Sequence, residues 1–588
     1  MLPITATDSR LLKQIIIIST VVLIVIILFV NTRTYLSQFY QRKTSLVAPK
    51  VAILGEIHWE ECVPAVENVD CGMIIVPKDY FNAEAGTASI ALARYRAQKT
   101  TRRGSVFLNP GGPGGPGSKL PITLGPALAK LIGDDWDLIG FDPRGIGSTR
   151  PATRCFSSRL SSTAFFANTV IEQGITVSSI SDLSSPLLYD ELIEQHRQFL
   201  ALKEVHAEIC GKVMGDELRY MGTATVVRDI DFMSKIIEGE NKKINYWGVS
   251  YGSILGAYLV NMLPHRIGYV VIDGIVDPVS WSNEPSHKWP INWIADAEKT
   301  YKIFLQDCSK AGPSLCPLTE YKDELWQNLE RRFEDFFDAV ARKPIPVPFG
   351  NRPGILTSGG ARGLLRIALQ RPLGWPKVAK VFSSALTGNA TELYNLLVHP
   401  VTHDPEPYIS PRLAVTCLDS PRPPSPDEFP TAEDLTKQGL KALREVSPHF
   451  GLSTGVGEPD GGCQYWAVDG PERYTGPWNA TLETKMLIIS NTADPITPKS
   501  SGLLVNSLMP HSSVIIIQDG PALLDFYAFS MYCKNSTGYF AGEMPKNGTV
   551  CPVDVATFPG EESEKHIQAL SADDQELLKA LKDLEANF

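Results

Sequence analysis

The sequence predicts an α/β fold, a mostly parallel sheet flanked by helices, on two observations. Short, nearly continuous apolar runs recur at Ser105 to Asn109, Trp136 to Phe141, Ile244 to Val249, Tyr269 to Ile272, Met486 to Ser490 and Val514 to Ile517. Runs of this length suit strands buried on both faces, which occur where helices cover a parallel sheet. The second observation is that helix-compatible stretches separate the runs, among them Ser253 to Leu263, which Pro264 ends. Strands alternating with helices define the α/β class. Ser89 to Ala97 alternates in polarity as a half-exposed strand does.

Two stretches break this rhythm, at about Cys155 to Gly215 and Trp281 to Thr481. The second has helical periodicity around Tyr321 to Val340 and a Pro-rich passage at Pro421 to Pro430. At roughly 200 residues it is far too long for a connecting loop. It reads as a large, mainly helical lid inserted between core strands 6 and 7. The expected organisation is a cytosolic tail and transmembrane anchor over 1–34, then a stalk over 35–50. The first part of the core follows over 51–280, the lid over 281–481, the second part of the core over 482–560 and a charged C-terminal helix over 561–588.

With 20% charged residues and a net charge of −10, the chain of 588 residues has no basic field to hold a phosphate backbone, so nucleic acid is excluded as a partner. Ile15 to Val30 is apolar except for Ser19 and Thr20, and Leu11 and Leu12 extend the run upstream. That is close to the roughly 17 to 25 residues that cross a bilayer. A cleaved signal peptide would have a shorter apolar centre and a small-x-small cleavage site, whereas Leu28, Phe29, Val30 and Asn31 follow on directly. An uncleaved anchor is the expectation, with secretion after cleavage as the alternative.

Orientation is read from two opposing signals. Arg33, Arg42, Lys43 and Lys50 outnumber Arg10 and Lys13, which on charge alone would leave the large domain in the cytosol. The ten cysteines argue the other way, because the pairs Cys62/Cys71, Cys308/Cys316 and Cys533/Cys551 suit local disulfide loops and none has the CxxC form of a metal or redox site. Four Asn-x-Ser/Thr sequons, at Asn389, Asn479, Asn535 and Asn547, fit a glycosylated lumenal chain. A short cytosolic tail and a lumenal or extracellular catalytic domain are therefore predicted, and no metal or cofactor is implied.

The chemistry centres on Gly248-Val249-Ser250-Tyr251-Gly252. G-x-S-x-G is a short pattern, and it recurs at Gly451 to Gly455 in a Gly/Pro-rich loop with no strand before it. Context separates the two. At Ser250 a strand precedes and a helix follows, which is the setting of a nucleophile elbow: the glycines admit a sharp turn and the helix N-terminus faces developing negative charge. An oxyanion hole needs converging N–H groups, here expected from Tyr251 and from Gly112 in the turn Asn109-Pro110-Gly111-Gly112-Pro113-Gly114-Gly115 after a strand. No Gly-Lys-Ser/Thr follows that turn, which removes a phosphate loop from consideration. Asp494 follows a late strand and is the expected acid, with Asp273 as its rival.

These motifs together resemble the tripeptidyl aminopeptidase-like branch of the α/β-hydrolases, related to prolyl iminopeptidases. Asn109 to Gly115 is similar to NPGGPGG, Asp142 to Ser148 to DxRGxGxS, Gly248 to Ser253 to the elbow, Asp273-Gly274 to DG, Cys463 to Trp466 to C-x-x-W, and Asp494 to Pro498 to DPxTP. They span roughly Val51 to Asp554 in the family's order. The resemblance implies an α/β-hydrolase fold and a serine exopeptidase that releases residues or short peptides from free N-termini through an acyl-enzyme. A catalytically impaired binding protein and an esterase on a small metabolite are the alternatives, the substrate in the last being a small ester or amide.

One position departs from the pattern. The family's catalytic histidine follows the last strand as Gly-His, whereas here Asp519-Gly520 is followed by Pro521-Ala522-Leu523-Leu524-Asp525, and no histidine occurs between His511 and His566. His511 precedes that strand, which leaves it roughly 20 Å from the strand's far end. His566 belongs to the charged C-terminal segment, and His399, His403 and His449 to the lid.

Overall fold

The computed structural model describes residues 53–398, 409–521, 535–552 and 556–572, together with 575, 576, 578 and 579. The predicted anchor and stalk lie outside the described residues, and among those described no helix is long and apolar enough to cross a membrane.

Seven strands come first: β1 (Ile57–Glu61), β2 (Val69–Pro77), β3 (Thr87–Tyr95), β4 (Gly104–Asn109), β5 (Trp136–Phe141), β6 (Ile244–Val249) and β7 (Ile267–Asp273). A two-stranded hairpin, β8 (Ile345–Val347) and β9 (Gly354–Leu356), lies apart from them. The chain then returns to the main sheet with β10 (Met486–Ala493), β11 (Ser513–Pro521) and β12 (Thr549–Pro552). The main sheet has ten strands in the order β1-β2-β3-β5-β4-β6-β7-β10-β11-β12. Pairing is antiparallel from β1 to β5 and parallel from there to β12.

Every residue of β4, β5 and β6 is buried, as strands covered on both faces require. On one face the helices Thr223–Glu238 and Tyr251–Met262 contribute Val226, Ile230, Ile254 and Tyr258 to a core with Ile139 and Tyr246. On the other, the helix Lys119–Ile132 places Leu124, Leu128 and Leu131 beside Leu138, Trp247 and Ile489. Both layers bury apolar side chains, each worth about 1.5–3 kcal/mol when fully buried.

Between β7 and β10 the chain builds a mainly helical insert with a core of its own, centred on Phe304, Phe333, Phe337, Trp375 and Phe382. The helix Trp326–Arg342 shows why this sequence folds so: Leu329, Phe333, Phe336, Phe337 and Val340 recur at three- and four-residue spacing and are the residues it buries. It starts a turn later than the periodicity alone suggests.

Four disulfides are described. Cys62–Cys71 and Cys308–Cys316 are the predicted local loops, whereas Cys155–Cys210 and Cys417–Cys463 join residues 55 and 46 positions apart. Cys551 is disulfide-bonded, and its predicted partner Cys533 lies outside the described residues.

The Asp142 to Ser148 motif serves the fold. Asp142 accepts hydrogen bonds from the N–H groups of Ser118 (3.0 Å) and Ser148 (2.8 Å). Arg144, 2% exposed, donates to both carboxylate oxygens of buried Asp229 at 2.7 and 2.8 Å and to the carbonyls of Pro77 (2.6 Å) and Lys78. Removing one partner of a buried ion pair leaves the other charge uncompensated, at about 3–5 kcal/mol. Arg144→Met is expected to lower stability by about that amount, read as a fall in the denaturant midpoint; a midpoint like that of the unaltered protein would show that the pair is dispensable.

Candidate functional site

β6 ends at Val249 and the helix Tyr251–Met262 begins two residues later, so Ser250 alone makes the turn between them. Its backbone sits at φ 57° and ψ −117°, a region that residues bearing a side chain rarely adopt and that costs of order 1–3 kcal/mol. The surrounding main chain holds it there. The Ser250 N–H donates to the Asp273 carbonyl at 2.9 Å, and its own carbonyl accepts from the Ser253 N–H (2.8 Å) and hydroxyl (2.6 Å). Such strain is kept where a side chain must be presented in one direction.

The turn after β4 lies directly on this junction. A Cβ on Gly111 would fall 2.4 Å from the Val249 carbonyl oxygen and 3.0 Å from the Ser250 Cβ, so only glycine permits the approach. Gly252 is matched in the same way, since its Cβ would meet the Asn109 carbonyl oxygen at 2.9 Å. The Asn109 side chain closes the turn by accepting from the Gly111 N–H at 2.9 Å.

Ser250, Gly112 and Tyr251 line one cavity with Val276, Ile496 and Thr497 of the core. The insert completes its walls with Trp281, Trp293, Gln370, Arg412 and Glu458. Asp494 is fully buried just behind Thr497. Its Oδ1 accepts from the N–H groups of Ile496 (2.9 Å) and Thr497 (2.8 Å), and its Oδ2 from the Thr497 hydroxyl (2.5 Å). Burial raises its pKa to about 7, Asp296 adds to the rise, and the three hydrogen bonds oppose it. The rival Asp273 ends β7, and its carbonyl is the acceptor for Ser250.

Among the described residues no histidine is hydrogen-bonded to Asp494. His511 is exposed and precedes β11. His449 donates through Nδ1 to the Glu298 carboxylate at 2.7 Å; burial opposes its charge, but Glu298 and Glu334 outweigh that and raise its pKa. His399, His403, the side chain of His566 and the segment 522–534 that follows β11 lie outside the described residues. Ser453, of the second G-x-S-x-G match, sits in a short turn and donates to the Phe450 carbonyl at 2.9 Å.

The sequence offers no direct pointer to Gln370, Arg412 or Glu458, which come from distant parts of the insert. Trp281 and Trp293 had a signal, the tryptophan-rich run immediately after β7, in which Trp281 and Trp289 stack with centroids 4.2 Å apart. Asn389, Asn479 and Asn547 are exposed, and Asn547 also accepts the Ile515 N–H at 2.9 Å; the side chain of Asn535 lies outside the described residues.

A family model for the alpha/beta hydrolase fold matches residues 104–316, which include both glycine-rich turns. Serine protease Hip1 of Mycobacterium tuberculosis is 26% identical over 519 residues, covering 85% of this chain and 91% of that protein. Tripeptidyl aminopeptidase of Streptomyces lividans is 31% identical over 244 residues, covering 40% and 41% of the two chains. Carboxylesterase B of Mycobacterium tuberculosis is 27% identical over 476 residues, covering 78% and 82%. With a serine at the strained end of a parallel strand and a family model matching around it, the chain has the α/β-hydrolase fold, and it is similar along most of its length to a serine protease and a carboxylesterase and over part of it to a tripeptidyl aminopeptidase.

Proposed function

We propose that this serine hydrolase uses Ser250 as its nucleophile and acts as an exopeptidase, releasing residues or short peptides from free N-termini. The strained backbone of Ser250 beneath Gly111 is the observation that carries the reading. The serine Oγ attacks the carbonyl carbon, the C–N bond breaks with a proton delivered to the leaving amine, and water then cleaves the acyl-enzyme. The N–H groups of Gly112 and Tyr251 hold the oxyanion, and Asp494 supports the base that accepts the serine proton. The insert covers the cleft as a lid. Peptide substrates are supported by the relatives named serine protease and tripeptidyl aminopeptidase, and a small-ester substrate by carboxylesterase B.

A second reading rests on the missing histidine after β11: a hydrolase fold that retains the elbow and binds a ligand in the cleft without turning it over. A fluorophosphonate probe separates the two. The unaltered protein should be labelled and Ser250→Ala should not; folded protein that resists the probe would establish the binding reading. Peptide amides with a free N-terminus should then exceed their acetylated counterparts in kcat/KM by about tenfold or more, whereas turnover of simple esters alone would make it an esterase.

Asp494 gives a pH signature of its own. Its ordinary pKa is near 3.8 and burial raises it to about 7 in the folded chain. Folding therefore takes up a proton between those values, so this contribution to stability is complete below about pH 4 and lost as pH rises through about 7. Asp494→Asn should abolish turnover and flatten the pH dependence of Tm across that window; an unchanged slope would show that Asp494 does not titrate there.

We infer also that the catalytic unit faces an oxidising compartment, carried by an anchor at Ile15 to Val30. The four disulfides and the exposed sequons at Asn389, Asn479 and Asn547 support it. N-glycosidase treatment of the protein from a secretory host should lower its apparent mass, and an unchanged mass would count against glycosylation.

A further inference from the structure

The helix Ile409–Asp419 in the insert bonds one half of the region assigned to the oxyanion directly and the other through Thr223. Arg412 and Asp419 are seven residues apart, two helical turns or about 10.5 Å, and so project from one face. Each is 3% exposed.

Arg412 donates through Nη1 to the Gly112 carbonyl at 2.6 Å. Two further nitrogens bond Asp460: Nε lies 3.1 Å from each carboxylate oxygen, and Nη2 bonds Oδ2. Asp460 is held in turn, because Cys463 just beyond it is bonded to Cys417 of the same helix and Lys203 donates to the Pro459 carbonyl.

At the other end, Asp419 accepts from the Thr223 N–H at 2.9 Å, the Thr223 hydroxyl, and Trp281 Nε1 at 2.9 Å. The Thr223 hydroxyl also lies 2.6 Å from Tyr251 Oη. Since a hydroxyl has one hydrogen and Thr223 gives it to the carboxylate, the Tyr251 phenol is the donor in that contact. Tyr251 is thereby fixed at its ring end through Thr223 to Asp419, while its N–H starts the elbow helix.

We propose that this helix is a brace for the oxyanion hole, Arg412 fixing Gly112 and Asp419 fixing Tyr251 through Thr223. The proposal rests on the assignment of the Gly112 and Tyr251 N–H groups as the oxyanion donors. All three side chains are positioning residues. A donor stabilises the transition state only if aimed where charge develops, and loss of one costs about 10²–10³ in kcat, with misplacement by 1 Å costing about 10². Their loss should therefore appear in kcat rather than in KM.

Two changes in the full chain test this. Thr223→Val removes the relay hydroxyl, and Arg412→Met with Asp460→Leu replaces the buried pair by apolar groups, leaving buried Lys203 its bond to the Pro459 carbonyl. Each should lower kcat and the rate of fluorophosphonate labelling by about 10- to 100-fold while KM changes little. Thr223→Ser, which restores the hydroxyl, should recover most of the loss, and Tm should stay close to that of the unaltered protein. Should the unaltered protein resist labelling at Ser250, the assignment of the site falls and the brace with it. If it is labelled and both variants acylate at the unaltered rate, or lose activity only through KM or a collapsed Tm, the brace alone is overturned.

Discussion

The packing of one glycine-rich turn onto another, at the carboxyl ends of the adjacent strands β4 and β6, is the constraint on which the site depends. β4 and β6 are hydrogen-bonded in parallel, with Asn109 opposite Gly248, so the chain leaves both strands at the same level. A helix begins at once after β6 and a glycine-rich turn follows β4, and neither path has room for a side chain where they cross: Gly111 lies against Val249 and Ser250, and Gly252 against Asn109. Sheet register thus sets the distance between serine and turn before any side chain acts. The main chain can then afford the strain at Ser250, because the Asp273 carbonyl from the next strand and the Ser253 side chain hold it from both sides.

How much of this is legible in the sequence follows from what each element buries. β5 and β6 begin and end on the residues their apolar runs predict, because a strand enclosed on both faces cannot accept a polar residue without a partner. The edge strands β1 and β12 give no such signal: Ile57–Glu61 is mostly polar and partly exposed, and Thr549–Pro552 is four residues long. The elbow, the turn and Asp494 are legible because each is a local motif tied to a strand end. Arg412 is not, since its contact with Gly112 spans 300 positions and no periodicity records it. Disulfides divide in the same way, the loops of 9 and 8 residues being predictable from spacing and the longer pairs not.

Burial and local hydrogen bonding compete at Asp494. Asp494 is held by three donors from its own turn, an arrangement that favours the charged form, yet burial outweighs them and lifts its pKa to about 7. A cation beside the carboxylate would offset that burial, and an imidazolium is the cation this geometry ordinarily serves. Between β11 and His566 the sequence has no histidine to supply it.

The insert bears on the chemistry through the same contacts that make it a wall. Trp281, Trp293, Gln370, Arg412 and Glu458 enclose the cavity, so differences in the insert change what fits without touching the sheet, which is how one fold serves many substrates. Arg412 has a double position, lining the cavity and bonding the Gly112 carbonyl. A displacement of the helix Ile409–Asp419 carries Arg412 with it, and the disulfide Cys417–Cys463 makes the Asp460 segment follow. The turn that lies on Ser250 is in this way tied to the insert at Gly112.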